Sequence, residues 1–331
     1  MVSNKLFIYF KICLSIFRNP FPYNMSDHLS SSDEYFEAFL KLIPKSRAYF
    51  EEVLLQFSDE LYIEHFRLTR EMTEELANRF ANSEYYKWQE GDSEKVTPLK
   101  YITVFCGFAA NEATSFRKVF DRFDITKSTL FKIVKRFTYF LSNLSPGVIK
   151  WPNDLEKVEI ETHFRNKNFP GVIGIIHNTH IRIDKPAEDP DFYLNRKHFY
   201  SIQAQVVCDY KRRIRDIFVR YPGSVYDSRV LSSSPLNETL PEKCGDSYIL
   251  GDSGYPCLKN LLTPFRDNGY LTRRQRNYNY ILSTNVVFDA EEQVIAPEYD
   301  IVLNEDDLPD RDDRDGVAVR EEVMNNLRFV V

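Results

Sequence analysis

Residues 171–183, with the sequence GVIGIIHNTHIRI, open the stretch that decides the fold of this chain. The apolar run before His177 is short and continuous, which is typical of a strand that is buried on both faces. Residues 199–209 and 213–224 alternate apolar and polar side chains instead, which predicts two further strands. The turn between these two segments predicts that they pair as antiparallel strands.

A short helix and a fourth strand complete this pattern. Residues 225–231, VYDSRVL, indicate a helix whose first turn contains Asp227, and residues 247–252, SYILGD, indicate a strand that ends on Asp252. This order of elements, with polar residues at the strand ends, is typical of a ribonuclease-H-like core, which places acidic side chains around a divalent metal. We therefore predict an α/β fold with a ribonuclease-H-like mixed sheet. The first of its strand ends holds His177 in place of an acid.

An all-α region precedes the sheet, over residues 34–150. Its most informative part is the stretch FRKVFDRFDITKSTLFKIVKRF, in which two helices with apolar stripes are separated by a short turn. Thr126 is a suitable N-cap for the second helix, and we predict a helix-turn-helix whose outer face binds DNA. That face carries the cations and hydroxyls of Lys127, Ser128, Thr129, Lys132 and Arg136. A plain helical bundle with a solvated basic face is the alternative interpretation.

The two ends of the chain differ from the middle. Residues 291–331 contain 13 acidic and 4 basic residues, and we predict that they form a disordered acidic tail. We expect residues 1–33 to be a flexible extension, in which residues 1–24 are either a targeting signal or sequence upstream of a natural start at Met25. The apolar run there is too short to span a membrane.

The composition excludes some classes of site. The five cysteines are spread along the chain without a CxxC pair, so neither a zinc knuckle nor a disulfide framework is indicated. Residues 145–154 contain two prolines and a glycine and are expected to link the helical region to the ribonuclease-H-like domain of residues 156–290. The net charge of −6 comes from the tail, and the rest of the chain is mildly basic, which permits nucleic-acid binding.

Carboxylates at strand ends are the groups that metal-dependent phosphodiester cleavage requires, because Mg²⁺ and Mn²⁺ prefer hard oxygen ligands. Asp252 is the best-placed acid, and a turn-capping role is its alternative. Asp227 is the second candidate, and capping the short helix is its alternative. Further cations are predicted to neutralise nucleic-acid phosphates; they are Arg196, Lys197, Arg273 and Arg274.

Several fragments taken together give a resemblance to a known family. They include FRLTREMTEEL, GIIHNTHIRI, YPGSVYDSRVL, LGDSGYPCLKNLLTPF and NYNYILST, in one order over residues 60–290. The chain resembles the PIF/Harbinger transposase-derived nucleases of the DDE endonuclease superfamily. The resemblance implies a helix-turn-helix before a ribonuclease-H-like domain, DNA cleavage that depends on Mg²⁺ or Mn²⁺, a nuclear or also cytoplasmic location, DNA as a partner and often a Myb-like DNA-binding protein as another. It implies no membrane partner.

The resemblance also assigns the site residues. The first family acid belongs to an Asp-Gly-Thr-His motif, which corresponds here to a sequence that begins at His177. The second acid matches Asp252, and a nearby family Asp matches Asp227. The third, a helical Glu, is best matched by Asp289. We therefore expect Asp252, Asp227 and His177 to be the metal ligands. We expect Asp252, Asp227 and Asp289 to be the catalytic residues, and cleavage to be weak or lost. A non-catalytic DNA- or protein-binding adaptor and an incomplete gene model are the alternatives.

Overall fold

The computed structural model describes residues 50, 54–87, 96–109, 119, 121–286 and 312–327. The chain divides into two compact units, Met1–Val148 and Ile149–Val331. No helix within the described ranges is long and apolar enough to cross a membrane.

The first unit is helical. Its described helices are α1 (Asp59–Phe66), α2 (Arg70–Ala81), α3 (Glu84–Lys87), α4 (Pro98–Ala109) and α5 (Lys127–Val148). The N-terminal ends of α1 and α2 are fixed by capping, because Ser58 and Thr69 accept hydrogen bonds from backbone N–H groups of the first turn. The helices bury a shared aromatic core in which Phe80 and Phe137 pack edge to face.

Helix α5 begins where the sequence predicts. The Thr126 hydroxyl accepts a hydrogen bond from the Thr129 N–H at 3.1 Å, so Thr126 has the predicted capping role. The helix continues to Val148, so the linker is shorter than the predicted residues 145–154. The helix can include Pro146 because this residue lies in the last turn, where it removes only one backbone donor. Residues 110–118 lie outside the described part of the chain, so the first helix of the predicted helix-turn-helix stays a prediction.

The second unit contains a five-stranded sheet flanked by helices. In chain order its elements are α6 (Asp154–Asn166), β1 (Val172–Arg182), α7 (Pro190–Tyr193), β2 (Ser201–Cys208), β3 (Ile214–Pro222), α8 (Asp227–Ser232), α9 (Pro235–Cys244), β4 (Tyr248–Leu250), β5 (Leu261–Leu262), α10 (Arg273–Val286) and α11 (Arg314–Asn326).

The sheet has the strand order β3-β2-β1-β4-β5. Strands β1, β2 and β3 pair antiparallel, whereas β4 pairs parallel with both β1 and β5. The predicted mixed α/β fold and the antiparallel β2–β3 pair are therefore confirmed. The apolar run before His177 is buried on both faces of β1, because one face packs against Ile160 and Phe164 of α6 and the other against Leu236 and Leu240 of α9.

The C-terminal region contains a helix that the sequence analysis did not predict. We expected the whole of residues 291–331 to be disordered, but α11 packs Val319 and Val323 against the core of the second unit. Its first turn lies so close to Leu258 that a side chain at Gly316 would clash with the backbone there. The tail prediction is wrong for α11 because acidic composition concealed a short apolar stripe. Residues 291–311 lie outside the described residues.

Candidate active site at the edge of the sheet

Strands β1 and β4 bring His177 and Asp252 together. The two strands run parallel with Ile175 opposite Leu250, so the residues that follow emerge at the same edge of the sheet. The distance from His177 Nδ1 to Asp252 Oδ2 is 3.3 Å, and both side chains are partly exposed. The pair is therefore accessible from solvent and lies where the family's first and second acids are expected.

Asp227 joins this edge from the first turn of α8. Its Oδ1 accepts a hydrogen bond of 2.8 Å from the Asn178 side-chain amide, which also donates to Gln203 Oε1 at 3.3 Å. Asn178 follows His177 on β1 and is buried. One strand thus supplies both the imidazole beside Asp252 and the amide that orients Asp227.

The electrostatic surroundings of Asp227 disfavour its ionised form. Burial is the largest influence and raises the pKa of its carboxyl group. The hydrogen bond from Asn178 acts in the opposite direction, and the negative charge of Asp252 raises the pKa further. A carboxyl group whose pKa is raised by burial and by a neighbouring carboxylate is typical of a site that binds a cation or handles a proton.

Gly254 fits between the two carboxylates. Its N–H donates a hydrogen bond of 2.8 Å to Asp252 Oδ1. A Cβ atom at this position would lie 2.8 Å from Asp227 Oδ2 and 3.0 Å from Asp252 Oδ1. The missing side chain therefore allows both carboxylates to approach the same small space, which explains why the strand β4 is followed by the sequence Asp-Ser-Gly.

A cavity of about 340 Å³ opens beside Asp227. Its wall includes Arg196, whose guanidinium lies 4.5 Å from the centre of the Tyr226 ring. It also includes His180, whose Nδ1 lies 3.1 Å from Ser201 Oγ. Burial and then the nearby charge of Lys197 lower the pKa of His180, which favours the neutral ring. The cavity has space for a small planar or phosphate-bearing group next to the carboxylates.

The described side chains do not fit a two-ion metal site. Within the described ranges, no group of three or more His, Cys, Asp and Glu side chains converges closely enough to hold a metal. Asp227 and Asp252 supply hard oxygen atoms, but one oxygen of each already accepts a hydrogen bond. His177 adds a nitrogen ligand, which suits Mg²⁺ and Mn²⁺ less well than a carboxylate does.

The other predicted site residues lie in several places. Asp289 falls outside the described residues, so its role stays a prediction. The five predicted DNA-contacting residues Lys127, Ser128, Thr129, Lys132 and Arg136 lie on α5 in the first unit. In the second unit, Arg196 lines the cavity beside Asp227 and Lys197 follows it, whereas Arg273 and Arg274 open α10.

Two residues of the site were not singled out from the sequence. Asn178 was noted only as part of the motif that replaces Asp-Gly-Thr-His, yet it holds Asp227 in place. Gly254 lies within the fragment LGDSGYPCLKNLLTPF, which contributes to the family resemblance without pointing to this residue. The signal for Gly254 is its place two residues after a strand-end acid, because a glycine there allows backbone to approach a charged group.

Comparison with known proteins gives a consistent result. Residues 176–294 match the family model described as DDE superfamily endonuclease. The human protein "Putative nuclease HARBI1" is 25% identical over 206 residues, which cover 61% of this chain and 56% of the relative. Its Mus musculus counterpart is 30% identical over 177 residues, covering 52% and 50%. "Protein ALP1-like" of Arabidopsis thaliana is 30% identical over 166 residues, covering 44% and 40%.

The chain spans about half the length of the curated relatives that it matches. No solved structure matches this chain. The matched segment begins within β1, next to His177, and extends through Asp227 and Asp252, so it includes the whole described site. The match to the DDE superfamily endonuclease model and the similarity to these relatives support the resemblance that the motifs give, to the Harbinger transposase-derived nucleases of the DDE endonuclease superfamily.

Proposed function

We propose that this chain is a DDE nuclease relative that binds DNA and in which metal-dependent cleavage is impaired. The observation that carries the proposal is the contact between His177 and Asp252 at the position of the family's first acid. Cleavage by two metal ions needs carboxylates that hold the ions about 4 Å apart. An imidazole in place of a bridging carboxylate removes one negative charge from between two cations.

The geometry around Asp252 supports this proposal further. His177 lies 3.3 Å from Asp252 Oδ2, and the Gly254 N–H is bonded to Oδ1, so both oxygens of this carboxylate already have neighbours. A protonated His177 would compete directly with a cation for Oδ2, and a neutral one adds no charge to the site. We therefore expect weak binding of Mg²⁺ and Mn²⁺ at this edge.

A plasmid assay tests the proposed loss of cleavage. Supercoiled DNA is incubated with the full chain and Mg²⁺ or Mn²⁺, and nicked and linear products are measured. We expect no cleavage that depends on Asp252. Cleavage by the unaltered chain that Asp252→Ala abolishes, but that Asp246→Asn at an exposed loop position leaves intact, would refute the proposal.

Restoring the acid sharpens this test. His177→Asp places a carboxylate beside Asp252 and we expect it to increase affinity for Mn²⁺, measured by isothermal titration calorimetry. Asn178 and Asp227 remain in place to orient the second carboxylate. A gain in cleavage together with metal affinity would indicate that His177 alone limits the activity, whereas a gain in affinity alone would indicate that a further acid, predicted as Asp289, is also required.

A non-catalytic adaptor is the second candidate function. This function is favoured by the lysines Lys127, Lys132 and Lys135, which are exposed on α5. The opposite face of the helix supplies the residues that are buried in the core. The affinity of a protein for DNA falls with salt when its cations contact phosphates. The slope of the logarithm of the binding constant against the logarithm of the salt concentration changes by about −0.9 for each contact. Fluorescence anisotropy with a DNA duplex at several salt concentrations, for the unaltered chain and Lys132→Ala, measures this slope. We expect the variant to reduce it, and an unchanged slope would exclude α5 from DNA contact.

We propose the nucleus as the location and a Myb-like DNA-binding protein as a partner, as the family resemblance implies. Imaging of a tagged full chain, alone and with such a partner, tests both statements. Exclusion from the nucleus under both conditions would overturn them.

A further inference from the structure

Helix α10 exposes an unusual row of aromatic and cationic side chains. Tyr270, just before the helix, is 92% exposed and Tyr280 is 56% exposed. Arg273 and Arg276 are exposed too. Arg273, Arg276 and Tyr280 are spaced three and four residues apart, so they lie on one face of the helix. We call Tyr270, Arg273, Arg276 and Tyr280 the α10 stripe.

The fold uses the other side of this helix. Tyr278, Ile281 and Leu282 are buried in the core of the second unit. Arg274 points toward α11, because its Nη1 donates a hydrogen bond of 2.9 Å to Asn325 Oδ1. Packing therefore accounts for the buried face of α10 and for Arg274, whereas Tyr270, Arg276 and Tyr280 remain exposed.

The chemistry of the α10 stripe suits one class of ligand. Residues 266–280 contain four arginines and one aspartate in a chain whose net charge is −6, so positive charge is concentrated here. Tyrosine rings stack on nucleobases, and arginines bind the phosphates between them. A duplex presents phosphates but keeps its bases stacked on each other. Because one exposed tyrosine precedes α10 and a second shares one face of this helix with two arginines, we propose that the α10 stripe binds single-stranded DNA.

A second feature lies between the basic segment before α10 and the edge of the sheet that carries Asp252. A polar cavity of about 220 Å³ is lined by Ser253, which follows Asp252, and by Arg266, at the start of the basic segment. Tyr255 also lines this cavity, is 98% buried, and its hydroxyl has no hydrogen-bond partner among the described residues. A buried donor without a partner is costly, so a polar group of a ligand would be stabilised here. A nucleic-acid strand near Asp252 could therefore make polar contacts in this cavity, next to the basic segment that leads into α10.

Binding measurements with single-stranded and duplex DNA test the proposal. Fluorescence anisotropy is recorded for the full chain with a labelled thymidine 20-mer and with a duplex of equal length. Stacking on a protein aromatic ring typically strengthens binding by about 5- to 100-fold per base. We expect Tyr270→Ala and Tyr280→Ala each to weaken single-strand binding within this range and to leave duplex binding nearly unchanged.

Conservative and positional controls separate stacking from charge and from misfolding. Tyr280→Phe keeps the ring and should retain single-strand affinity. Phe192→Ala removes a 60% exposed ring elsewhere in the same unit and should have no effect. Arg273→Ala should lower the salt slope for the single strand by about 0.7, whereas Arg220→Ala removes the same charge from an exposed position on β3 and should not.

Two results would overturn the proposal. In the first, Tyr270→Ala and Tyr280→Ala both bind single-stranded DNA as tightly as the unaltered chain, and both unfold at the same temperature as the unaltered chain. The other is an equal loss for duplex and single strand, which would indicate general polyanion binding. Lys132→Ala on α5 separates this inference from the proposed duplex binding, because it should weaken duplex binding only. The duplex and single-strand measurements therefore test the proposed binding at α5 and the proposed binding at the α10 stripe independently of each other.

Discussion

Two groups of acidic side chains in the second unit have opposite surroundings. Asp209, after β2, is completely buried, and its Oδ2 accepts hydrogen bonds from Arg213 Nε at 2.8 Å and from Arg215 Nε at 3.0 Å. Its Oδ1 accepts two backbone N–H groups of the β2–β3 turn. Asp227 and Asp252, in contrast, form no ion pair with a lysine or arginine among the described residues.

The difference distinguishes a structural acid from one that is available for chemistry. Asp209 has its counterions supplied by the neighbouring strand, so its charge is satisfied before any ligand arrives. The carboxyl group of Asp227 is held by an amide, and burial raises its pKa. A buried acid without its own cation is destabilising in the free protein, and such destabilisation is common at functional sites.

The largest effect is expected where the structural acid is removed. Asp209→Ala leaves Arg213 and the buried Arg215 without their central partner, and breaking a buried ion pair on one side costs about 3–5 kcal/mol. Denaturant unfolding measures this loss. Asp216→Ala is the matched control, since its ion pair with Lys243 is partly exposed and contributes about 1 kcal/mol or less. Equal losses in the two variants would contradict the structural role of Asp209.

A smaller effect is expected from adding one methyl group at the candidate site. Gly254→Ala places a Cβ atom within 2.8 Å of Asp227 Oδ2 and 3.0 Å of Asp252 Oδ1. Both are side-chain ends that can move, so we expect a loss of about 1 kcal/mol and displaced carboxylates. Gly147→Ala is the control, because no atom lies within 4 Å of its added Cβ and alanine favours the helix. Thermal unfolding that is unchanged by Gly254→Ala would show that the space is larger than described.

The sequence predicts the sheet better than it predicts the site. The apolar run before His177 and the alternation on either side of the β2–β3 turn are local patterns, and both strand assignments are confirmed. That Asp252 lies next to His177 also follows, because strand order fixes it. The role of Asn178 does not follow, since it depends on a contact with a residue 49 positions away. Helix α11 was missed because its acidic flanks outweigh the few apolar residues that it buries.

The smallest and most specific effect concerns the charge of Asp227. Because burial raises the pKa of Asp227 above its ordinary value of 3.8, the folded state disfavours the carboxylate, and this cost is present at pH values above the raised pKa. It disappears as the pH falls below 3.8, where the acid is protonated in both the folded and the unfolded state. Asp227→Asn cannot ionise, and its side-chain oxygen can still accept the hydrogen bond from Asn178.

We therefore expect Asp227→Asn to be more stable than the unaltered chain at pH 7, with a gain that shrinks toward zero at pH values below 3.8, the ordinary pKa of an aspartate. Denaturant unfolding at several pH values measures the gain. Asp246→Asn, at an exposed position, should stay within about 0.5 kcal/mol of the unaltered chain throughout. A loss of stability in Asp227→Asn at pH 7 would mean that the carboxylate is stabilised like that of Asp209. The contrast between the structural acid and the available acid would then fail, and with it the reason for regarding Asp227 as available for chemistry.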